Sequence, residues 1–291
     1  MPDRPVDRAM AWIEETLAGY PVAAFQDRLR EELERRIRMQ TTATYVRAGY
    51  TAITPYLTVE QIDRLIDFIK QTFGAEETYR GVGGAGGTHC ELRIGDSMIM
   101  CGGGPVIRGQ EKPATLHVYV PDTDAVYQRA LAAGATSIAA PENKPYGARQ
   151  GSVQDPTGNR WVIATHEGPL DEPQRTVTPF LVPSEDALGL VEFIKTVFGA
   201  REMGLYQSPE GKLEYAAVAV GDAVLEFGEA PGFPKPALLL YVPDADATYR
   251  KALEAGAKSV HAPADQPYGD RMGTVEDAWD NTWYIAQHHG K

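Results

Sequence analysis

The chain has 291 residues, of which 43% are hydrophobic and 23% charged, with a formal net charge of −12. That length suits two ordinary domains, and the acidic balance excludes general binding to phosphate backbones or anionic lipid. No apolar run reaches the ~20 residues needed to span a bilayer. The opening Met1-Pro2-Asp3-Arg4-Pro5 lacks the apolar stretch of a secretion signal, and Cys90 and Cys101 lack C-x-x-C spacing, so a reduced, cytoplasmic protein is expected.

Residues 1–46 come first. Val6, Met10, Ile13 and Leu17 form one helical stripe, Gly19-Tyr20-Pro21 breaks it, and Phe25, Leu29, Leu33 and Ile37 form a second. A helical extension that packs on a domain or a second subunit is the expectation, with a lid as the alternative. From Thr51 to Val59, alternation with β-branched and aromatic residues predicts a strand. Ile62, Leu65, Ile66, Ile69 and Phe73 recur at helical spacing, and Gly74 stops the helix. Strands follow at Glu77 to Arg80, Thr88 to Ile94 and Ser97 to Cys101. The pattern then restarts with a strand from Thr115 to Val120, a helix from Asp124 to Ala133, and strands near Ser137 to Ala139, Gln150 to Gln154 and Arg160 to Ala164. The glycine-rich run Gly81 to Gly87 leads into a strand rather than a helix, so it reads as a hairpin loop and not a phosphate cradle.

The second half repeats the first. Pro145 to Asp155 matches Pro267 to Asp277 at seven of eleven positions, at an offset of 122 residues. The same offset pairs Tyr119-Val120-Pro121-Asp122 with Tyr241-Val242-Pro243-Asp244, and Trp161 with Trp283. A period this long means duplicated domains rather than a solenoid. The β-α-β-β-β unit therefore occurs four times. The expected organisation is an extension at 1–46, one domain at 47–169 and a second at 173–291.

Paired modules of this kind, with Tyr146-Gly147, Arg149, Gly151, Val153, Asp155-Pro156, Gly158-Asn159, Trp161 and Ile163 to His166 at fixed spacing, resemble the vicinal-oxygen-chelate superfamily and its PhnB-like, glyoxalase/bleomycin-resistance branch. The resemblance covers roughly residues 47–289. It implies an α+β fold of two tandem glyoxalase-type domains, four βαβββ modules in all, with concave faces that take small organic ligands. It leaves function open, because the superfamily hosts isomerases, dioxygenases, thiol transferases and non-catalytic drug binders.

In metal-dependent members the resemblance implies four ligand positions per site, filled by His or Gln, Glu, His and Glu, on the first and last strands of the modules. Here those positions hold Thr54 and Tyr56, Met100, Thr115 and His117, and Val162 in the first copy. In the second they hold Thr178, Glu226, Ala237 or Leu239, and Tyr284. Only Glu226 matches in type. A set of His89, Glu91 and His117 is an alternative, since His89 and Glu91 share a strand face. The expectation is no cofactor, with a divalent metal as the alternative. The second copy lacks the two His and one Glu of extradiol dioxygenases, which excludes that assignment.

Residues kept in both copies read as demands of the fold. Arg149 with Asp155, and Arg271 with Asp277, are expected to clamp a loop. Residues found in one copy are better candidates for chemistry. His117, Glu91 and Glu226 are the acid/base candidates, with Glu91 expected near His117. Tyr56, His89, Tyr119, Tyr146, Trp161, Tyr215, Tyr241, Tyr268 and Trp283 are the expected ligand-binding side chains. The expected function is binding or sequestration of a small organic ligand without a metal, with no nucleic-acid or membrane partner and with a homodimer as a candidate assembly. The alternative is a glyoxalase-like lyase or isomerase that uses a divalent metal on a small oxygenated substrate.

Overall fold

A computed structural model describes residues 45–84, 86–166 and 175–290. The helical stripes expected before residue 45 lie outside the described residues, as do the proposed domain edges at 169 and 173. The first module comprises β1 (Ile53–Val59), α1 (Ile62–Phe73), β2 (Glu76–Val82), β3 (Thr88–Ile94) and β4 (Ser97–Gly103). The second comprises β5 (Thr115–Tyr119), α2 (Thr123–Ala132), β6 (Thr136–Lys144), β7 (Ala148–Gln154) and β8 (Arg160–His166). The third comprises β9 (Val177–Leu181), α3 (Ala187–Phe198), β10 (Arg201–Gln207), β11 (Leu213–Val220) and β12 (Ala223–Phe227). The fourth comprises β13 (Ala237–Tyr241), α4 (Ala245–Glu254), β14 (Lys258–Asp265), β15 (Asp270–Glu276) and β16 (Thr282–His288).

Local chemistry sets the helix ends. Asp122 and Asp244 cap α2 and α4, accepting from the Ala125 and Ala247 amides at 3.0 and 2.8 Å. Gly74 and Gly199 close α1 and α3 in the left-handed conformation, at φ 68° and 70°, which costs a glycine little. Gly81 and Val82, expected in a hairpin loop, extend β2, and beyond them the Gly83 amide donates to the Gly87 carbonyl at 2.7 Å just before β3. Strand β6 is longer than expected from sequence. It is an edge strand with two register shifts against β7, and its exposed side chains hide the alternation that marks a strand.

The modules do not pair in chain order. One eight-stranded sheet runs β14-β15-β16-β13-β1-β4-β3-β2 and the other β10-β11-β12-β9-β5-β8-β7-β6. The first module thus joins the fourth through antiparallel β1 and β13, with Thr54 opposite Leu239. The second joins the third through β5 and β9, with His117 opposite Thr178. The hydrophobic cores are divided differently. One gathers Leu57, Ile66, Phe68, Leu92, Leu116 and Trp161 from the first two modules. The other gathers Leu190, Ile194, Leu225, Leu240, Trp283 and Ile285 from the last two. Each sequence copy therefore owns a helix-covered core, while each sheet is shared between copies.

Two sequence expectations need correction here. Trp161 and Trp283 line no concavity. Both are fully buried on the helix side, 4.9 Å from Phe73 and 4.7 Å from Phe198 between ring centres. Their Nε1–H groups donate to Asp155 Oδ2 at 2.9 Å and Asp277 Oδ2 at 2.8 Å. A buried indole must satisfy its N–H, and these aspartates do so. Arg149 and Arg271 consequently do not clamp Asp155 and Asp277. They pair with Asp124 and Asp246 at the starts of α2 and α4, fixing a hairpin strand to a helix.

Candidate functional site

Strand alternation delivers the first set of side chains. In β5, Leu116 and Val118 point into the core, so His117 and Tyr119 take the opposite, concave face. In β12, Leu225 and Phe227 are core residues, so Glu226 takes that same face. Strand β9 lies between β5 and β12, with Phe180 opposite Glu226. The result is a histidine from the first copy set against a glutamate from the second. His117 Nδ1 lies 2.7 Å from Glu226 Oε2. The hydroxyls of Tyr119 and Tyr215 each donate to Glu226 Oε1 at 3.0 Å. The Tyr119 ring stacks on the imidazole with centroids 4.6 Å apart.

The electrostatics follow from this geometry. Glu226 is 1% exposed. Burial pushes its pKa up, but the His117 charge and the hydrogen bonds from His117, Tyr119 and Tyr215 overcome that and hold it below the usual carboxylate range. Burial and the adjacent carboxylate push both tyrosine hydroxyls well up, so they stay protonated and keep donating. An ionised carboxylate only accepts, so Nδ1 of His117 carries a proton. Nε2 is then the ring nitrogen left for another partner, an acceptor in the neutral imidazole and a donor in the imidazolium. That atom is buried and has no hydrogen-bond partner among the described residues.

The other sheet forms a second concave face with different contents. Tyr56, His89 and Glu91 from the first module meet Tyr241, Asp270, Tyr284 and His288 from the fourth. The Tyr56 hydroxyl lies 3.0 Å from His89 Nδ1, and His89 Nε2 lies 3.4 Å from Glu91 Oε1. Tyr56 fits because residue 102 is glycine, where a Cβ would stand 2.8 Å from the tyrosine ring. Asp270 accepts from the Tyr241 hydroxyl at 3.0 Å and lies 2.6 Å from His288 Nδ1. Burial pushes Glu91 up, but hydrogen bonds from His89, Arg47 and Tyr50 bring it down to about 2.

The expected site residues thus divide between two faces. His117, Tyr119, Tyr215 and Glu226 meet on one face. Tyr146 stands exposed at its rim, its hydroxyl raised by burial against the opposing Lys144, with Glu226 adding to the rise. Tyr56, His89, Glu91 and Tyr241 belong to the other, with Tyr268 exposed beside it. Glu91 is not near His117, because the two lie in different sheets, and the alternative His89, Glu91, His117 metal set falls for the same reason. Sequence reasoning missed Arg47, Tyr50, Asp270 and His288. Asp270 aligns with Ala148 and so carried the single-copy signal. His288 aligns with His166, so comparison of the copies set it aside.

A divalent metal at the family positions does not fit the donors present. On the first face those positions hold His117, Glu226, Thr178 and Val162, and three hydrogen bonds already engage the Glu226 carboxylate. On the second they hold Leu239, Met100, Thr54 and Tyr284. Among the described residues, no three His, Cys, Asp or Glu side chains converge as a metal site. Cys90 and Cys101 face each other in the core across β3 and β4, with burial pushing the Cys90 thiol up to about 11, so both are inert. Among the described residues no helix is long and apolar enough to cross a membrane.

Comparisons with known proteins agree with this architecture. An uncharacterized protein of Mycobacterium bovis is 37% identical over 141 residues, spanning 44% of this chain and 92% of that protein. An uncharacterized protein of Mycobacterium tuberculosis is 37% identical over 141 residues, spanning 44% and 82%. The crystal structure of glyoxalase I from Zea mays superposes with a TM-score of 0.63 at 16% identity, covering 80% of this chain and 90% of that one, which shows a shared fold. The family model of the glyoxalase/bleomycin resistance protein/dioxygenase superfamily matches residues 47–163 and again 177–285. With four βαβββ modules and two such matches spanning most of its length, the chain belongs to that superfamily.

Proposed function

We propose that this protein binds a small organic ligand on the concave face built from β5, β8, β9 and β12, without a metal, in the manner of the bleomycin-resistance branch. The observation that carries the reading is the buried Nε2 of His117, which has no hydrogen-bond partner among the described residues. A buried polar atom left unpaired costs about 1–3 kcal/mol, so a ligand that hydrogen-bonds to Nε2 offsets that cost. Glu226, Tyr119 and Tyr215 fix the imidazole's orientation and tautomer, and Phe180, Val162 and Tyr146 offer an apolar and aromatic surround.

The test is a melting-temperature screen of a metabolite and drug library on protein purified without chelator, with elemental analysis of the same sample. Ligands that raise the melting temperature of the wild type and not of His117→Ala support the reading. Near-stoichiometric metal that disappears in His117→Ala replaces it with a metal-dependent enzyme. A second reading, a glyoxalase-like lyase or isomerase in which His117 moves a proton, is favoured by the carboxylate-oriented imidazole itself. Turnover of a bound ligand, lost in His117→Ala with binding retained, is its signature.

A further inference from the structure

The second face is filled by the chain itself. Residues 45–50 lie across it. The His288 amide donates to the Tyr45 carbonyl at 2.9 Å, and the segment turns at Gly49 (φ 86°), with the Tyr50 amide donating to the Arg47 carbonyl at 3.0 Å. Tyr45, Val46 and Tyr50 pack on Met100, Leu239 and Tyr241. Between them Arg47 reaches Glu91, Nη1 to Oε1 at 2.6 Å and Nη2 to Oε2 at 3.2 Å. The guanidinium sits over the Tyr50 ring at 4.9 Å from its centroid.

These are the parts of a recognition site for a planar cation. A buried carboxylate, 4% exposed, receives a two-pronged guanidinium. Tyrosine rings supply cation–π faces. A second buried carboxylate, Asp270, 3% exposed, stands on the same face. A cleft of about 190 Å³ opens beside Arg47, walled by Tyr50, Tyr79, Glu91, Arg93 and Met98, with room for the body of a small molecule. The site is peculiar to this face, since the first face has Ala217 where Glu91 stands and Tyr215 where His89 stands.

The energetics restrict what can take Arg47's place. Withdrawing Arg47 leaves Glu91 buried with neutral or longer contacts, to Tyr50 and His89, and no adjacent guanidinium, and a buried charge without its counter-charge is strongly unfavourable. A neutral or anionic ligand cannot make good that loss. A ligand that brings its own planar cation can. Arg47 is 36% exposed at its side chain, so it can leave outward without disturbing either core. We propose that the second concave face is a binding site for a small organic molecule carrying an amidinium or guanidinium group on an apolar body. Residues 45–50 are its intramolecular occupant, and the ligand displaces Arg47 from Glu91.

The test uses benzamidine as the probe and benzyl alcohol as its neutral counterpart, measured by calorimetry on the full chain. Arg47→Met removes the resident cation and keeps the side-chain stem. Benzamidine is expected to bind Arg47→Met at least tenfold more tightly than the wild type. Adding Glu91→Gln abolishes the gain, and benzyl alcohol binds neither protein. In the wild type, saturating benzamidine speeds amide hydrogen exchange of residues 45–50, a readout that stands even if the variant does not fold. Equal affinity in wild type and Arg47→Met, binding that survives Glu91→Gln, or unchanged exchange of residues 45–50 overturns the proposal. None of these outcomes depends on ligand binding at His117 on the other face.

Discussion

Replacing Glu226 by glutamine reverses the chemistry of His117 while changing little volume. The carboxylate accepts three hydrogen bonds, from His117 Nδ1 at 2.7 Å and from Tyr119 and Tyr215 at 3.0 Å. A glutamine carbonyl can keep the two tyrosines. Its amide nitrogen then faces His117 and donates, so Nδ1 must become the acceptor and the imidazole proton moves to Nε2. Three charge-assisted bonds become neutral or are reversed, at about 1 kcal/mol each, or ~3 kcal/mol in all. Relief from burying a charge offsets a good part of this. Glu226→Gln should therefore lose no more than about 2 kcal/mol by urea unfolding, whereas Glu226→Leu, which orphans all three donors, should lose about 3–6 kcal/mol. Nitrogen-15 spectra of the His117 ring, recorded at a pH where the ring is neutral, should show the proton on Nδ1 in the wild type and on Nε2 in Glu226→Gln. Ligands that donate to Nε2 should lose at least tenfold in affinity. An unchanged tautomer in Glu226→Gln would refute the claim that Glu226 orients His117.

Other expectations follow from the same structure. Against the upward push of burial, hydrogen bonds from His89, Arg47 and Tyr50 hold Glu91 at about 2, below the ordinary glutamate value of 4.5. Its folded pKa is depressed, so its contribution of ~3 kcal/mol is present above about pH 4.5 and is lost as pH falls towards 2. The stability difference between wild type and Glu91→Gln in urea titrations should shrink across that window, and a constant difference would contradict the assignment. Asp277→Ala removes the acceptor of Trp283 Nε1, of Asn281 Nδ2 and of the Trp279 and Asn281 backbone amides, and should cost at least ~3 kcal/mol, seen calorimetrically as a fall of about 6–10 °C or more in melting temperature. Because each sheet is shared, halves 45–166 and 175–290 made as separate chains should co-purify on a tag carried by one of them. Independent, monomeric halves would show that the β1–β13 and β5–β9 pairings contribute little.

Much of the fold was legible in the chain alone. The 122-residue repeat, the helical spacing of Ile62 to Phe73 and the glycine that stops that helix are signals carried by the chain itself, set by propensity and side-chain periodicity. The same local logic put His117 on one strand face with Thr115, since alternation is a property of the strand itself, while the core packing of Leu116 and Val118 decided that this face is the concave one. The family's ligand positions, once laid on the chain, also pointed to Glu226.

What joins across the molecule was not legible. Nothing local states that β5 pairs with β9 and β1 with β13, because antiparallel edges of duplicated modules are nearly interchangeable. Assigning Glu91 to His117 followed from treating each copy as self-contained. The two tryptophans carried the same ambiguity, since an aromatic on a strand reads alike whether it faces a core or a cavity until the layer above it is known. Arg47 was hidden for a related reason: its partner Glu91 is 44 residues away. Sequence thus determined the modules and what each can offer. Tertiary pairing decided that a histidine from one copy would meet a glutamate from the other, because only packing brings distant strands together and excludes the water that would otherwise satisfy them.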